Sequence, residues 1–343
     1  MFIKELNLIN FRNYRNFNIK FSDGTNIITG KNGTGKTNIL EAIFLISTTI
    51  SHRNNILSEI TMHDENAFRI TGDIINSTGK LTVGLDYKKG EGIRASLNSS
   101  AVKKNTLIDR FPVVMFSPED IEVIKGPPGS LRRMMNIIKA QTDSRFIDIL
   151  LKYNRILKER NALLKEGYEN KGKEFMDGLN VWTKSLLKYA EKISDSRREF
   201  IKEINSSIQE ETSDMGLKYL LKIKYNINNY NSDKSINDDI ACGCTTWGPH
   251  RESFCFYLDG KNLRKYGSRG EVRIGALIFR MAAWRILKEK KGKQPIVLLD
   301  DVFSELDEEK RHLIESRLDN VQSIMTATEI PAEMKNVCNI IPL

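Results

Sequence analysis

"GKNGTGKT", residues Gly30 to Thr37, stands between an apolar strand-like run, Asn26-Ile27-Ile28-Thr29, and a helix-like run from Asn38 to Leu45. The eight residues fit G-x-x-x-x-G-K-[ST], a loop whose backbone N–H groups cradle phosphates. Gly30, Gly33 and Gly35, with Lys31, Asn32 and Thr34 between them, allow the tight turn that points successive amides inward. The helix that follows presents its positive N-terminus to the same anion. Lys36 is placed to reach the β- and γ-phosphates of a nucleoside triphosphate, and the Thr37 hydroxyl to coordinate Mg²⁺. A strand before and a helix after is the context this motif requires, and a glycine-rich turn matching by chance would lack it.

A second piece lies far downstream. Gln294-Pro295-Ile296-Val297-Leu298-Leu299-Asp300-Asp301 is a continuous apolar run ending in two acids, which suits a strand buried on both faces of a parallel sheet. Such a strand can lie beside the one feeding the phosphate loop and bring its carboxylates to the sheet edge where α/β folds bind ligands. Asp300 is then placed to hold Mg²⁺ and Asp301 to polarise the water attacking a γ-phosphate, with Lys36 as the third catalytic group. An acidic turn capping a helix that begins near Glu308 is the alternative.

The rest of the chain is organised around these two runs. Phe2 to Leu8, Phe17 to Phe21, Phe68 to Ile75 and Leu81 to Tyr87 alternate apolar and polar residues at period two, predicting an N-terminal mixed sheet. From about Ser130 to Ser206 apolar residues recur at steps of three and four, predicting an inserted helical lobe. Strands are expected again near Tyr219 to Tyr225 and Ser253 to Leu258, then a helix from about Glu271 to Glu289. The expected division is one lobe from 1–115 with 245–343 and a helical lobe from 116–244.

Composition limits the partners. The chain has 343 residues, 40% of them hydrophobic and 28% charged, as in ordinary globular proteins. No apolar run reaches the ~18 residues a membrane span needs, and Lys4 and Glu5 interrupt any leader-like start, so a cytoplasmic protein with no membrane partner is expected. A net charge of +9 favours a polyanion such as nucleic acid. Cys242, Cys244, His250 and Cys255 raise zinc, but their C-x-C-x5-H-x4-C spacing is not a usual paired knuckle, and the thiols read as buried or incidental.

Between the loop and the two acids lies Tyr266-Gly267-Ser268-Arg269-Gly270-Glu271-Val272-Arg273. Ser268 can cap a helix, and Gly270 leaves the backbone bare where an anion could approach. A phosphate loop, then S-x-G-[QE], then a two-acid strand is the order found in the ABC-type ATPases, which the chain resembles. That resemblance implies ATP as the nucleotide, held between two copies, with Ser268, Gly270 and Glu271 of one facing the loop of the other. Only 231 positions separate Thr37 from Ser268, too few for the long coiled-coil arms of SMC and Rad50-like proteins.

The finer resemblance is to the RecF family. It rests on Asn10 to Tyr14, Gly30 to Thr37, Ser51-His52-Arg53, Phe116 to Asp120, Tyr153-Asn154-Arg155, Arg160 to Lys165, Gly248 to Arg251, Tyr266 to Arg273 and Leu298 to Asp307. It implies an ABC-type ATPase head of α/β class, a mixed-sheet lobe carrying the phosphate loop plus an inserted, mainly helical lobe. It further implies a weak, DNA-stimulated ATPase that dimerises on ATP and binds duplex DNA or its junction with a single strand. RecR and RecO would be partners in loading RecA, and Arg12 would reach the nucleotide, unless it is an exposed strand-end arginine. Asp301 stands where most ABC proteins carry Glu, Thr326-Ala327-Thr328 where transporters have a switch histidine, and Arg132 to Asn136 departs from the family pattern. An SMC-type structural head and a small-molecule kinase are the rival readings, and no DNA-contacting residue can be named.

Overall fold

The computed structural model describes residues 1–51, 57–108, 110–166, 172–301, 311, 317, 320–328 and 338–343. His52, Arg53, the stretch Val302 to Asp307 and the helix expected from Glu308 lie outside the described residues.

Three sheets organise the described chain. The first holds six antiparallel strands in the order β2-β1-β4-β5-β6-β7. They are β1 (Phe2–Phe11), β2 (Tyr14–Lys20), β4 (Ala67–Asn76), β5 (Gly79–Lys88), β6 (Gly92–Leu97) and β7 (Ser100–Val102). The second holds β3 (Thr25–Thr29), β8 (Val113–Phe116), β12 (Ile296–Asp300), β13 (Ser323–Ala327) and β14 (Asn339–Pro342), ordered β14-β3-β13-β12-β8 with every pairing parallel. The third is β9 (Leu221–Asn226), β10 (Ser253–Leu258) and β11 (Lys261–Asn262), ordered β11-β10-β9.

The strands expected in one mixed N-terminal sheet therefore separate by type. β1, β2 and β4 alternate because one face meets the core, whereas β3, short and with three consecutive buried residues, joins the parallel sheet. β12 is buried along its whole length, as its apolar run predicts. It does not lie beside β3, however: β13 sits between them, itself buried at four of its five residues. Strand order in a parallel sheet is set by crossovers, which a local pattern does not encode.

The helices fill the gaps between sheets. They are α1 (Lys36–Thr48), α2 (Lys104–Ile108), α3 (Asp120–Lys125), α4 (Pro128–Thr142), α5 (Arg145–Glu166), α6 (Lys173–Asp214), α7 (Ser232–Cys242), α8 (Leu263–Tyr266) and α9 (Arg269–Lys291). α1 is wedged between the antiparallel and parallel sheets, and eleven of its thirteen residues are buried. α4, α6 and α9 meet the inner faces of β9 and β10 and the other side of the parallel sheet in one apolar cluster. β9 and β10 pair across the expected boundary near residue 244, so this small sheet belongs to both segments.

Candidate functional site

The parallel sheet brings Gly30–Thr37 and Asp300 together at the C-terminal ends of β3 and β12. The Thr37 hydroxyl donates to Asp300 Oδ1 at 2.8 Å, although the two residues lie 263 positions apart. Asp300 is 4% exposed and Lys36 9%. Lys36 Nζ donates to the carbonyls of Gly30 and Lys31 at 2.6 and 3.0 Å, which holds the ammonium at the rim of its own loop.

The loop is braced from β1 and β2. Gly35 has φ 106°, and a Cβ there would lie 2.6 Å from Asn13 Nδ2 and 2.7 Å from the Tyr14 hydroxyl. Asn13 Nδ2 donates to the Thr34 carbonyl at 3.0 Å and Asn13 Oδ1 accepts from Asn38 at 2.9 Å, so one asparagine ties the loop to α1. Burial pushes the Tyr14 hydroxyl up to about 12, which keeps it a neutral hydrogen-bonding group. The start of α1 has no side-chain cap and no acid in its first turn, leaving its amides and positive end toward an anion.

Arg12 is not the exposed strand-end arginine of the alternative reading. It lies just past the end of β1 with φ 54°, and its Nε and Nη2 clasp the buried Glu41 carboxylate of α1, each at 2.9 Å. Its Nη1 donates to the Glu59 carbonyl at 3.0 Å. Ser51 also donates to Glu41, at 2.6 Å. Arg12 thus fixes α1 against the antiparallel sheet, and it borders a cleft of about 850 Å³ together with Asn13, Asn38 and Glu59.

The interposed strand β13 contributes Thr326, which the sequence marked only as part of the run standing where transporters have a switch histidine. Thr326 Oγ1 donates to Asp300 Oδ1 at 2.8 Å and accepts from the Asp301 amide at 2.9 Å. Asp301 has φ 49°, a left-handed conformation that Asp tolerates, and this hydrogen bond holds it. A hydroxyl and a carboxylate in contact are hard oxygen donors of the kind Mg²⁺ takes, so Thr37 and Asp300 fit that ion.

The Ser268 corner is a complete capping box. Ser268 Oγ accepts from the Glu271 amide at 3.2 Å, and Glu271 Oε2 accepts from the Ser268 amide at 2.6 Å. Lys261 Nζ reaches both Glu271 oxygens at 3.0 Å, and these bonds, the backbone one foremost, pull the Glu271 carboxyl down to about 2. Local capping therefore accounts for Ser268 and Glu271 but not for Gly270. That residue sits in the first turn of α9 outside the left-handed region, and among the described residues an added Cβ would meet nothing within 4 Å.

Two further runs also find partners. Tyr153 and His250 are joined at 2.6 Å through Nδ1, while Nε2 lies 3.1 Å from the Thr245 carbonyl. That carbonyl only accepts, so Nε2 carries the proton and Nδ1 accepts from Tyr153. Burial, chiefly, lowers the imidazole to about 4. Of the four cysteines, Cys242 is exposed and the others partly so, and among the described residues no group of three or more His, Cys, Asp or Glu is placed to hold a metal ion.

A phosphate loop with an open helix start, a two-acid strand and a box-capped S-x-G-E helix define an ABC-type ATPase head. The chain matches the family model for the RecF/RecN/SMC N terminal domain over residues 2–339. It is 35% identical over 345 residues to the DNA replication and repair protein RecF of Agathobacter rectalis, covering 98% of this chain and 94% of that one. The same named protein of Acetivibrio thermocellus is also 35% identical, with 96% and 94% covered. A solved structure of the recombination mediator protein RecF-ATP in the RecFOR pathway superposes with a TM-score of 0.88 at 31% identity, covering 96% of this chain and 93% of that one. A Smc head domain from Pyrococcus furiosus, at TM-score 0.51 and 17% identity over 96% of this chain and 90% of that one, shares the fold. The chain belongs to the RecF family.

Proposed function

We propose that this chain is an ATP-dependent DNA-binding protein of recombinational repair and replication, working as a switch in the cytoplasm. Two copies share ATP, the loop Gly30–Thr37 of one facing Ser268, Gly270 and Glu271 of the other. Lys36 neutralises the β- and γ-phosphates, Thr37 and Asp300 hold Mg²⁺, and Asp301 orients the attacking water. When bound, Mg²⁺ supplies positive charge against the phosphate oxygens. Arg12 serves by fixing the start of α1 through Glu41. The relatives' role in DNA replication and repair and the ATP of the solved relative support this reading.

Gly270 is the observation that carries it. A glycine in a helix costs about 0.5–1 kcal/mol against alanine. Nothing among the described residues requires it here, as expected if a second body closes on that turn. Asp301 is one methylene shorter than the usual glutamate and places the water less well, so hydrolysis is slow; DNA stimulates it. ATP closes the dimer on duplex DNA or a junction with a single strand, and hydrolysis releases it. RecR and RecO are the partners, and RecA loading is the outcome.

Sedimentation at micromolar protein with ATP, ADP or no nucleotide tests the mechanism. A dimer is expected with ATP alone, and Ser268→Arg should abolish it while leaving ATP binding in place. A monomer in all three conditions rejects the shared-nucleotide reading.

A further inference from the structure

Asn32-Gly33 is the one place in the sequence where glycine follows asparagine. It forms the corner of the phosphate loop. Lys31 and Thr34 close a turn around it, the Lys31 carbonyl accepting from the Thr34 amide at 3.4 Å and from the Thr34 hydroxyl at 3.0 Å. Gly33 stands at the third position of that turn with φ 86°, as a type II turn requires. Both corner residues are exposed, and among the described residues an added Cβ on Gly33 would meet nothing within 4 Å beyond its chain neighbours.

Neither group of this pair is tied down. Among the described residues the Asn32 carboxamide makes no hydrogen bond, and the Gly33 amide donates to nothing. Three asparagines followed by serine are held instead: Asn76 Oδ1 accepts from the Thr78 amide at 2.8 Å, Asn98 Oδ1 from the Thr82 amide at 2.9 Å and Asn205 Oδ1 from the Ile223 amide at 2.8 Å. The electrostatic field at the corner acts in the same direction. α1 presents an uncapped N-terminus to the loop with no acid in its first turn, and Lys36 Nζ donates to the Lys31 carbonyl at 3.0 Å. Positive charge there stabilises an anion, be it a phosphate or a backbone nitrogen that has lost its proton.

We propose that Asn32 is a deamidation site, at which the chain disables its own phosphate loop. The Gly33 nitrogen gives its proton to hydroxide and attacks the Asn32 carboxamide carbon; the bond to the amide nitrogen breaks, ammonia leaves and a succinimide ring forms. Glycine has no Cβ to shield the attacking nitrogen. Water then breaks the bond from the Gly33 nitrogen to one of the two ring carbonyls, leaving an aspartate at position 32 or an isoaspartate whose main chain runs through the side-chain carboxyl. Either product sets a carboxylate among donors arranged for phosphate, and isoaspartate also lengthens the loop by one carbon. A triphosphate seated in the loop engages its inward amides and holds one backbone conformation, so bound nucleotide keeps the ring from closing. The site itself rests on the loop's sequence and geometry, and its protection rests on the nucleotide reading above.

The full chain, held in mildly alkaline buffer with and without a non-hydrolysable ATP analogue and Mg²⁺, is mapped by peptide mass spectrometry for replacement of an amide NH2 by OH. Without nucleotide, conversion at Asn32 should run at least about ten-fold faster than at Asn76 or Asn98, glycine leaving the backbone freest. With the analogue at roughly 100 times its Kd, conversion should slow at least about ten-fold. The fraction of chain able to bind ATP should fall in step with the fraction converted. Asn32→Asp should bind ATP about ten-fold or more weakly than the fresh chain. Asn32→Gln, whose ring would need an extra carbon, should hold its own starting affinity through the same incubation. Conversion at Asn32 no faster than at Asn76, or a converted chain that binds ATP undiminished, overturns the proposal. Equal conversion with and without the analogue, in a chain that a titration shows to bind it, overturns the protection. A fresh chain that binds no analogue rejects the nucleotide reading instead, and the nucleotide-free rates then decide the site.

Discussion

Thr326 shows how much one hydroxyl can carry. It bridges the Asp301 amide and the Asp300 carboxylate, and so couples the residue that would hold the metal to the one that would hold the water. Thr326→Val keeps the shape and removes both bonds, so ATP turnover should fall at least about ten-fold, one lost hydrogen bond to a charged group being worth roughly 1.5–3 kcal/mol. ATP affinity should change less than about three-fold and Thr326→Ser should restore turnover, as read by steady-state hydrolysis beside a nucleotide titration. His250 acts on stability instead. Its folded value near 4 lies below the free value of 6.5, so the unfolded chain binds the extra proton between them. Stability from the neutral imidazole is complete above about pH 6.5 and falls as pH drops toward 4, by on the order of 3 kcal/mol in all. Thermal melts at pH 7.5 and 5 should show this loss, and His250→Gln should be less sensitive to pH over the same interval.

At the scale of the element, α9 offers a test that separates folding from function. Gly270→Ala removes a poor helix former from a first turn with room for the methyl, so the chain should gain up to about 1 kcal/mol in stability. The same methyl stands where the partner's nucleotide is proposed to approach, so ATP-dependent dimerisation should weaken at least about ten-fold. Calorimetry and sedimentation of one sample decide it, and a stabilised variant that still dimerises normally would show that the turn faces only water. α1 carries the opposite design. Gly35 there is required by φ 106° and by the crowding of Asn13 and Tyr14, so Gly35→Ala should disturb the loop itself and lower nucleotide affinity.

In the whole molecule, buried ion pairs join segments that local patterns leave separate. Arg160, fully buried on α5, pairs with Asp239 of α7 at 2.7 Å and donates to Thr183 of α6 and to Thr245. Asp239 also accepts from the Trp247 indole at 2.9 Å, so four stretches of chain meet at one charge pair. Arg160→Met leaves Asp239 buried without its cation and should cost about 3–5 kcal/mol, seen as a large fall in denaturant midpoint. Such a pair was invisible in sequence, where Arg160 is one cation among many on a helix. The elements themselves were more legible. β10 runs from Ser253 to Leu258 as its alternation indicates, and α9 exceeds its expected span by two residues at each end, because a capping box and the C-terminal Gly292 extend it.

Periodicity, the phosphate-loop spacing and the run ending at Asp300 determined from sequence alone the strands and helices that flank the phosphate loop and the candidates for its chemistry, because these signals reside in neighbouring positions. Only the tertiary structure decided that β13 separates β3 from β12, that Thr326 thereby enters the site, and that Arg12 closes on Glu41. Strand order and side-chain partners depend on crossovers between residues hundreds of positions apart, and no local pattern records them.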